Sequence, residues 1–233
     1  MRAVLDRLYE KYSRYECIPP DPLQFVYNYS RFEDIEIAAL LSSSLAYGRV
    51  QQIEKSLLRL FDIMGEAPFD FVKGFDRSRR RRLGPFKHRF NTGADISDLI
   101  NILRIVYSEY GSLKNYFVQN MVKEPFLEVS INNFCRSMLG LHLCSGKNAV
   151  SKGLAYLLPL PERGSACKRL NMFLRWMVRD DDVDTGLWSG AVDSRRLIVP
   201  VDVHMGRLCR ILGLYDRKSV SIRAALEITR GFA

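Results

Sequence analysis

Two residues in the last third of the chain carry side chains suited to catalysis. Lys168 lies in "GSACKRLNMFLRWMVR", and Asp202 follows 34 residues later (202 − 168 = 34) in "LIVPVDVHMGRLCRILGL". A neutral lysine amine is a nucleophile, and a fixed carboxylate can stabilise positive charge electrostatically. If the fold brings them together, the pair can act as a nucleophile and its electrostatic partner.

Local sequence predicts where these two residues lie on helices. Asp202 follows an extended Pro-Val dipeptide and precedes an apolar-periodic segment, so it is predicted to cap a helix. Lys168 comes three residues after Ser165, a predicted cap, and so in a first turn, where the helix dipole opposes an ammonium ion. Each residue also has a simpler explanation: Asp202 as a cap alone, and Lys168 as a solvent-exposed lysine.

The elements that must hold this pair are helices. Apolar residues recur at helical spacing in successive segments, separated by Pro, Gly and Asp, and no stretch alternates long enough for a convincing strand. Asp21 is predicted to cap a helix with Pro22 at its first position. We therefore predict an all-α protein without internal repeats or low-complexity linkers. The helices are expected in "VLDRLYEKY", "PPDPLQFVYNYS", "FEDIEIAALLSSSLAYG", "VQQIEKSLLRLFDIM", "ISDLINILRIVYSEYG", "LKNYFVQNM", "PFLEVSINNFCRSMLGL", the segments of Lys168 and Asp202, and "SIRAALEITRGF".

The segment "PVDVHMGRLCRILGL" closely resembles the one that carries the catalytic aspartate in the helix-hairpin-helix DNA glycosylase superfamily, which includes endonuclease III and the 8-oxoguanine glycosylases. Lys168 lies where that superfamily has its lysine, and the 34-residue spacing is similar to that of archaeal 8-oxoguanine glycosylases with an extended loop. The whole chain looks like a broadly bacterial family of unknown function allied to this superfamily.

The resemblance implies an all-α, two-lobed glycosylase-like fold with a modified helix-hairpin-helix. One helical lobe is expected at about residues 30–150, and the hairpin and catalytic lobe at residues 1–30 together with 151–233. It also implies base-excision repair of double-stranded DNA, with an oxidised purine such as 8-oxoguanine as substrate. Lys168 would then be the nucleophile of the glycosylase and abasic-site lyase reactions, and Asp202 its electrostatic partner.

Further residues are predicted from the resemblance to bind the substrate. Ser44, Tyr47 and Arg49 lie in "SSSLAYGR", which aligns loosely with a turn that lines the base pocket, and core packing explains them about as well. Trp188 and His204 complete the expected base pocket, although a tryptophan that anchors a loop to the core is the commoner case. DNA backbone contacts are expected from Arg49, Gly164, Ser165, Arg169, Arg79, Arg80, Arg81, Arg82, Lys87 and Arg89.

The formal net charge of +9 is concentrated in one segment. Residues 73–92, "KGFDRSRRRRLGPFKHRFNT", hold eight Lys or Arg and one Asp, which gives 8 − 1 = +7. Such a run either binds the phosphates of nucleic acid or is a solvated loop. The rest of the chain is close to neutral.

Two alternatives to an enzyme remain open at this point. The usual hairpin motif Leu-Pro-Gly-x-Gly is replaced by "PLPERGSACK", and the resemblance leads us to expect one more helix after "EITRGFA". Both differences favour a non-catalytic DNA-binding or structural protein that keeps the fold. An RNA-binding module is a second alternative, which depends on the arginine run alone.

Composition narrows the remaining classes. No segment approaches the roughly 20 apolar residues of a membrane span, and the amphipathic amino terminus lacks the apolar core of a signal peptide. Five scattered cysteines without a Cys-x-x-Cys pair favour reduced thiols, so we expect a cytoplasmic, nucleoid-associated monomer. The histidines His88, His142 and His204 lack metal-ligand spacing, and endonuclease III's iron-sulfur loop has no counterpart, so no metal, cluster or other cofactor is expected.

Overall fold

The structure, a computed structural model, describes residues 2–217 and 219–232, and nearly all regular structure in those residues is helical. The all-α prediction is confirmed. Within the described residues, the α-helices are α1 (Arg2–Tyr12), α2 (Phe32–Ser44), α3 (Val50–Met64), α4 (Pro68–Lys73), α5 (Arg77–Leu83), α6 (Gly93–Tyr110), α7 (Leu113–Gln119), α8 (Glu128–Cys144), α9 (Lys152–Leu157), α10 (Lys168–Val178), α11 (Val203–Ile211) and α12 (Ile222–Phe232).

Short 3₁₀ helices and one small hairpin complete the described elements. The 3₁₀ helices are Tyr15–Cys17, Pro22–Asn28, Pro161–Arg163 and Ser194–Arg196, and strands β1 (Lys87–His88) and β2 (Asn91–Thr92) form an antiparallel pair. No helix among the described residues is both long enough and apolar enough to cross a membrane.

Helix α2 is the centre of the larger core. Its residues from Ile37 to Ser44 are all buried, because apolar and small side chains cover nearly its whole circumference. It packs against α10 on one side and against the 3₁₀ helix Pro22–Asn28 on another. The sequence prediction for that 3₁₀ helix is confirmed at its start, where the Asp21 side chain accepts a hydrogen bond from the N–H of Leu23.

Glu36 brings a carboxylate into this core and is fully buried. One oxygen, Oε1, accepts hydrogen bonds from Trp188 Nε1 at 2.8 Å and from the N–H of Lys114 at 2.8 Å. The other, Oε2, accepts from the Tyr107 hydroxyl at 2.9 Å and from the N–H of Leu113 at 3.0 Å. These donors come from α6, the start of α7 and the loop after α10, so one charged group joins three segments to α2.

A second, smaller apolar cluster lies towards the carboxyl terminus. It contains Ala166, Ile198 and Val201 together with Cys209 of α11 and several residues of α12. Helix α10 begins two residues after Ala166 but packs its own apolar side into the larger cluster. The start of α10 and the start of α11 therefore lie where the two clusters meet. The predicted division into two lobes stays a prediction.

The arginine-rich part of the basic segment is a helix and not the solvated loop that was one of the two alternatives from the sequence. Residues Arg77–Leu83 form helix α5, capped by Asp76, whose side chain accepts from the N–H of Arg79 at 2.8 Å. Its only fully buried side chain is Leu83. A helix forms here because a cap and one apolar anchor compensate for the repulsion between neighbouring arginines.

We expect replacement of Glu36 by Gln to lower the free energy of unfolding by about 2–4 kcal/mol, because the amide group points two donors at N–H and O–H groups that already donate. Chemical denaturation in urea measures the change. Glu66→Gln is the control, since Glu66 is exposed in the turn before α4, and it should alter stability by less than about 0.5 kcal/mol. Equal stability of both variants would contradict the assigned role of Glu36.

Candidate active site

A cleft of about 990 Å³ opens where the two apolar clusters meet. Its walls are formed by the segment before the 3₁₀ helix Pro22–Asn28, the turn between α2 and α3, helix α9, and the first residues of α10 and α11. Its polar and aromatic lining includes Asp21, Tyr47, Tyr156, Ser165, Cys167, Lys168, Arg169, Asp202 and His204.

The predicted pair meets in this cleft. Lys168 Nζ lies 3.0 Å from Asp202 Oδ2, although 34 residues separate them in the chain. The other oxygen of Asp202, Oδ1, accepts a hydrogen bond from the N–H of Met205 at 2.9 Å. Asp202 is thus the N-cap of α11, as predicted, and one carboxylate both caps a helix and holds the lysine.

Lys168 lies in the first turn of α10, as predicted, but it occupies the first position because the helix begins later than a Ser165 cap would place it. Cys167 precedes the helix in the left-handed conformation (φ 47°, ψ 37°) and provides no side-chain cap. The Ser165 hydroxyl, the predicted cap, instead accepts from the N–H of Cys167 at 3.2 Å. The first N–H groups of α10 are therefore left for another acceptor.

Asp202 is held in its charged form. Burial by itself raises the pKa of Asp202, but the hydrogen bond from the N–H of Met205 and the ammonium group of Lys168 outweigh it, so the pKa falls below the ordinary aspartate value. About a third of each side chain in the pair remains exposed to the cleft (35% for Lys168 and 38% for Asp202). The pair is accessible to a ligand, and Asp202 keeps its negative charge beside it.

An aromatic wall flanks the pair on the side of the β1–β2 hairpin. The Tyr47 hydroxyl donates to Asn91 Oδ1 at 2.6 Å, and its ring lies 4.9 Å from that of Tyr156 and 5.3 Å from that of Phe90. Phe90 stands at the hairpin tip and is 52% exposed. Tyr47 lines the cleft, and its predicted role in a base pocket stays a prediction. Tyr156, which the sequence analysis did not single out, lies beside it.

Arg169 has a different place from the predicted DNA contact. Its guanidinium is buried and donates to the main-chain carbonyls of Ser44 and Tyr156. It also lies over the rings of Tyr156, at 4.1 Å, and Tyr47, at 5.1 Å. Because the guanidinium already donates to these carbonyls and packs on these rings, Arg169 links α10 to α2 and α9. The prediction that it binds a DNA phosphate is therefore wrong.

Ser44 and Trp188 are also corrected from base-pocket residues to core residues. Ser44 is 1% exposed and Trp188 is fully buried. The indole of Trp188 packs against Phe117 and Phe173, in addition to its bond to Glu36. Trp188 therefore anchors the long loop after α10, the commoner role weighed from the sequence.

The connection between α9 and α10 contains Gly164 and Ser165, whose predicted contact with DNA stays a prediction. Gly164 has φ +85°, which favours glycine, and its carbonyl accepts from the N–H of Ile222 in α12 at 3.3 Å. Both Gly164 and Ser165 reach the surface. The connection thus borders the cleft through Ser165 and contacts α12 through Gly164.

Two arginines lie near the cleft with exposed side chains. Arg49 precedes α3, and its guanidinium forms no hydrogen bond or ion pair with any described residue. Arg89 lies at the hairpin tip with φ +54°. Gly48, at φ +100°, has no room for a Cβ because the Arg89 side chain lies within 2.8 Å of that position. Lys87, in β1, is exposed too. His204 is exposed at the start of α11 and lines the cleft.

The arginine run of α5 makes several internal contacts. Arg80 pairs with Asp98 at 2.8 Å, and Arg79 and Arg82 lie over the ring of Phe71. Arg81 is exposed, and no described residue bonds its guanidinium. Three of the four predicted phosphate ligands therefore already stabilise the fold in part.

Asp21 is a cleft residue that the sequence predicted only as a helix cap. Asp21 lines the same cavity as Lys168 and Asp202, while its short Pro-rich segment predicted nothing beyond a helix start. Its place in the cleft depends on the packing of that segment against α2, which local sequence does not encode. The described residues bring together no group of three His, Cys, Asp or Glu side chains that could hold a metal ion.

Comparison with known proteins places the chain in a family. The family described as "Protein of unknown function (DUF2400)" matches residues 21–233, which is far more than half of the chain. The match includes Asp21, Lys168 and Asp202. No curated protein and no solved structure matches the chain.

Replacement of Asp202 by Ala should lower the free energy of unfolding by about 1 kcal/mol at pH 7, because α11 loses its cap. Asp202→Asn keeps an oxygen for the N–H of Met205 and should retain most of that stability. The partly exposed ion pair adds little.

The effect of Asp202→Ala should depend on pH in one direction. Because the folded state lowers the pKa of Asp202 below the ordinary 3.8, the ionised group stabilises the fold fully above 3.8 and ceases to do so as pH falls through its lower folded value. Urea unfolding at pH 7 and pH 5 should therefore give the same deficit. If the loss of unfolding free energy in Asp202→Ala is smaller at pH 5 than at pH 7, the lowered pKa of Asp202 is contradicted.

Proposed function

The chain belongs to the DUF2400 family, and we propose that it is a DNA base-excision glycosylase of the helix-hairpin-helix type. It would remove an oxidised purine, such as 8-oxoguanine, from double-stranded DNA and cleave the resulting abasic site through a Schiff base. The observation that carries the proposal is the 3.0 Å contact between Lys168 Nζ and Asp202 Oδ2 in an open cleft.

The pair has the chemistry that breakage of a glycosidic bond requires. As the base leaves, positive charge develops on the sugar, and the ionised Asp202 stabilises it electrostatically. The amine of Lys168 attacks the same carbon, and the Schiff base that follows permits strand cleavage. Both groups start helices, so their positions are set by the backbone and not by long flexible side chains alone.

The size and lining of the cleft support a flipped base as the ligand. A base extruded from the duplex needs a pocket with a flat aromatic or apolar wall. Tyr47 and Tyr156 provide such a wall, and Arg169 holds it rigid from behind through hydrogen bonds to backbone carbonyls. A cleft of about 990 Å³ is large enough for a nucleoside together with its phosphates.

Groups that bind phosphate lie around the opening. The uncapped N–H groups at the start of α10 can donate to a phosphate oxygen, and Arg49 and Arg89 supply exposed positive charge on the other side. The ring of Phe90, which follows Arg89 at the hairpin tip, is exposed and lies against Tyr47. This arrangement fits a nucleic-acid backbone that runs past the cleft.

The main alternative is a non-catalytic DNA-binding or structural protein of the same fold. The observation in its favour is that Asp202 already has a complete structural role as the cap of α11 and the partner of Lys168. Under that alternative the pair would stabilise the junction of the two clusters, and no covalent adduct would form.

Borohydride trapping on duplex oligonucleotides with 8-oxoguanine or an abasic site tests the proposal. Wild-type protein should form a covalent adduct, and Lys168→Gln should form none, because the adduct requires the amine. Asp202→Asn should release base about 100-fold more slowly or worse, since the charge that stabilises the sugar is lost.

Lys152→Gln is the matched control for the trapping experiment. Lys152 also occupies the first position of a helix, α9, but it is exposed and does not line the cleft. This variant should be trapped as efficiently as wild type. A folded wild-type protein that binds duplex DNA but yields neither adduct nor free base would establish the non-catalytic alternative.

Salt dependence of DNA binding should separate the arginines that touch phosphate from those that serve the fold. Each lost phosphate contact reduces the slope of log K against log salt by about 0.9, so Arg49→Gln and Arg89→Gln together should reduce it by about 2. Arg81→Gln should reduce it by about 1 if α5 lies on the DNA. Arg195→Gln is the control, because Arg195 is exposed but paired with Asp193 away from the cleft. Tighter binding of duplex RNA would favour the RNA-binding alternative.

A further inference from the structure

A second carboxylate, Asp21, shares the cleft with Lys168 and Asp202. Its Oδ1 accepts from the N–H of Leu23 at 2.9 Å, while its Oδ2 accepts no hydrogen bond from any residue that the structure describes. Lys168 pairs with Asp202 at 3.0 Å and forms no ion pair with Asp21, but Asp21 lines the same cleft. The lysine therefore shares the cleft with two carboxylates, one in direct contact and one with an oxygen left free.

The charged surroundings of Asp21 differ from those of Asp202. Helix α10 presents Lys168 and Arg175 to Asp21, and Arg175 is itself bound to Asp184 at 2.8 Å. The remaining titratable groups around Asp21 are Tyr12, Arg14 and Cys17, which line a small cavity of about 130 Å³ behind it, and Asp202 and His204 on the α11 side of the cleft.

These surroundings shift the pKa values of the two carboxylates in opposite directions. Asp21 is exposed at the edge of the cleft, yet the protein atoms near its carboxyl group partly desolvate it. This desolvation raises the pKa of Asp21 despite the N–H of Leu23 and the charges of Arg175 and Lys168. The pKa of Asp202 is lowered. Two carboxylates with divergent pKa values beside one nucleophile are the usual sign of an acid–base residue and a permanently charged one.

We propose that Asp21 is the proton carrier of this site, taking a proton from the ammonium group of Lys168 and delivering it to the departing base. This rests on the proposed glycosylase function and assigns it a third catalytic residue. Asp202, in contrast, stays ionised throughout and stabilises the charge on the sugar.

The transfers balance without any additional reactant. One proton passes from Lys168 Nζ to Asp21, which produces the neutral amine and the protonated carboxyl together. The bond between the sugar C1′ and the base nitrogen then breaks, its electron pair leaves with the base, and Asp21 gives its proton to that base. The amine forms the new bond to C1′, and the proton that its nitrogen must lose returns to Asp21.

Asp21→Asn tests this role without removing the helix cap, because the amide oxygen still accepts from the N–H of Leu23. Base release at neutral pH should fall about 100-fold. The residual rate should rise steadily with pH, because solvent must then take the proton from Lys168. Trapping on a preformed abasic site, which has no base to protonate, should return to within about threefold of wild type near pH 9.

Asp193→Asn is the matched control. Asp193 caps the 3₁₀ helix Ser194–Arg196 by accepting from the N–H of Arg195 at 3.0 Å, and it does not line the cleft. It should release base at the wild-type rate over the whole pH range. An Asp21→Asn protein within about twofold of an active wild type at every pH would overturn the role of Asp21 and leave the proposed function intact. A wild-type protein that neither releases base nor forms an adduct would overturn both.

Carbon-13 NMR titration of the Asp21 carboxyl gives a readout that needs no activity. The charge of Lys168 lowers the pKa of Asp21, so Lys168→Gln should move the Asp21 titration to higher pH, whereas Lys152→Gln should leave it in place. An unchanged titration in Lys168→Gln would overturn the proton exchange between the two residues, whatever the outcome of the kinetic experiments.

Discussion

The buried carboxylate of Glu36 is the constraint from which the rest of the arrangement follows. A charge in the middle of α2 is tolerated only because four donors surround it, two on each oxygen. Meeting that requirement fixes the end of α6, the start of α7 and the indole of Trp188. Because Trp188 lies in the loop between α10 and α11, the same requirement determines the path by which the chain returns to the cleft at Asp202.

Buried polar side chains other than Glu36 also form hydrogen bonds that hold the residues around the cleft in position. Arg169 joins α10 to the end of α2 and to α9 through two carbonyls, and His88 lies between Ser56 and Tyr47 at 2.9 and 3.1 Å. These contacts hold Tyr47 and the start of α10 in place before any ligand arrives. Preorganisation of this kind is what electrostatic catalysis requires, since groups that must move to reach a developing charge lose most of their effect.

The distribution of positive charge has a structural and a surface component. Contacts with other residues offset the repulsion between the arginines of α5: Arg80 pairs with Asp98, and two others lie over the ring of Phe71. A strongly basic segment can therefore fold as a helix. The side chains of Arg49, Lys87 and Arg89 are exposed, so their charge is free to attract an anionic ligand. A net charge of +9 therefore overstates the number of cations available to a polyanion.

By itself, the sequence determined the helical class, the cap of α11 by Asp202, the position of Lys168 in the first turn of α10 and the start of the 3₁₀ helix at Asp21. Each depends on local backbone preferences or on the period of apolar residues, which neighbouring residues encode. Tertiary structure alone decided that Arg169, Ser44 and Trp188 lie inside and that Asp21 faces the cleft. Burial and charge proximity depend on contacts between segments far apart in the chain, so no local pattern distinguishes a carboxylate that only caps the start of a helix from one that also faces a lysine.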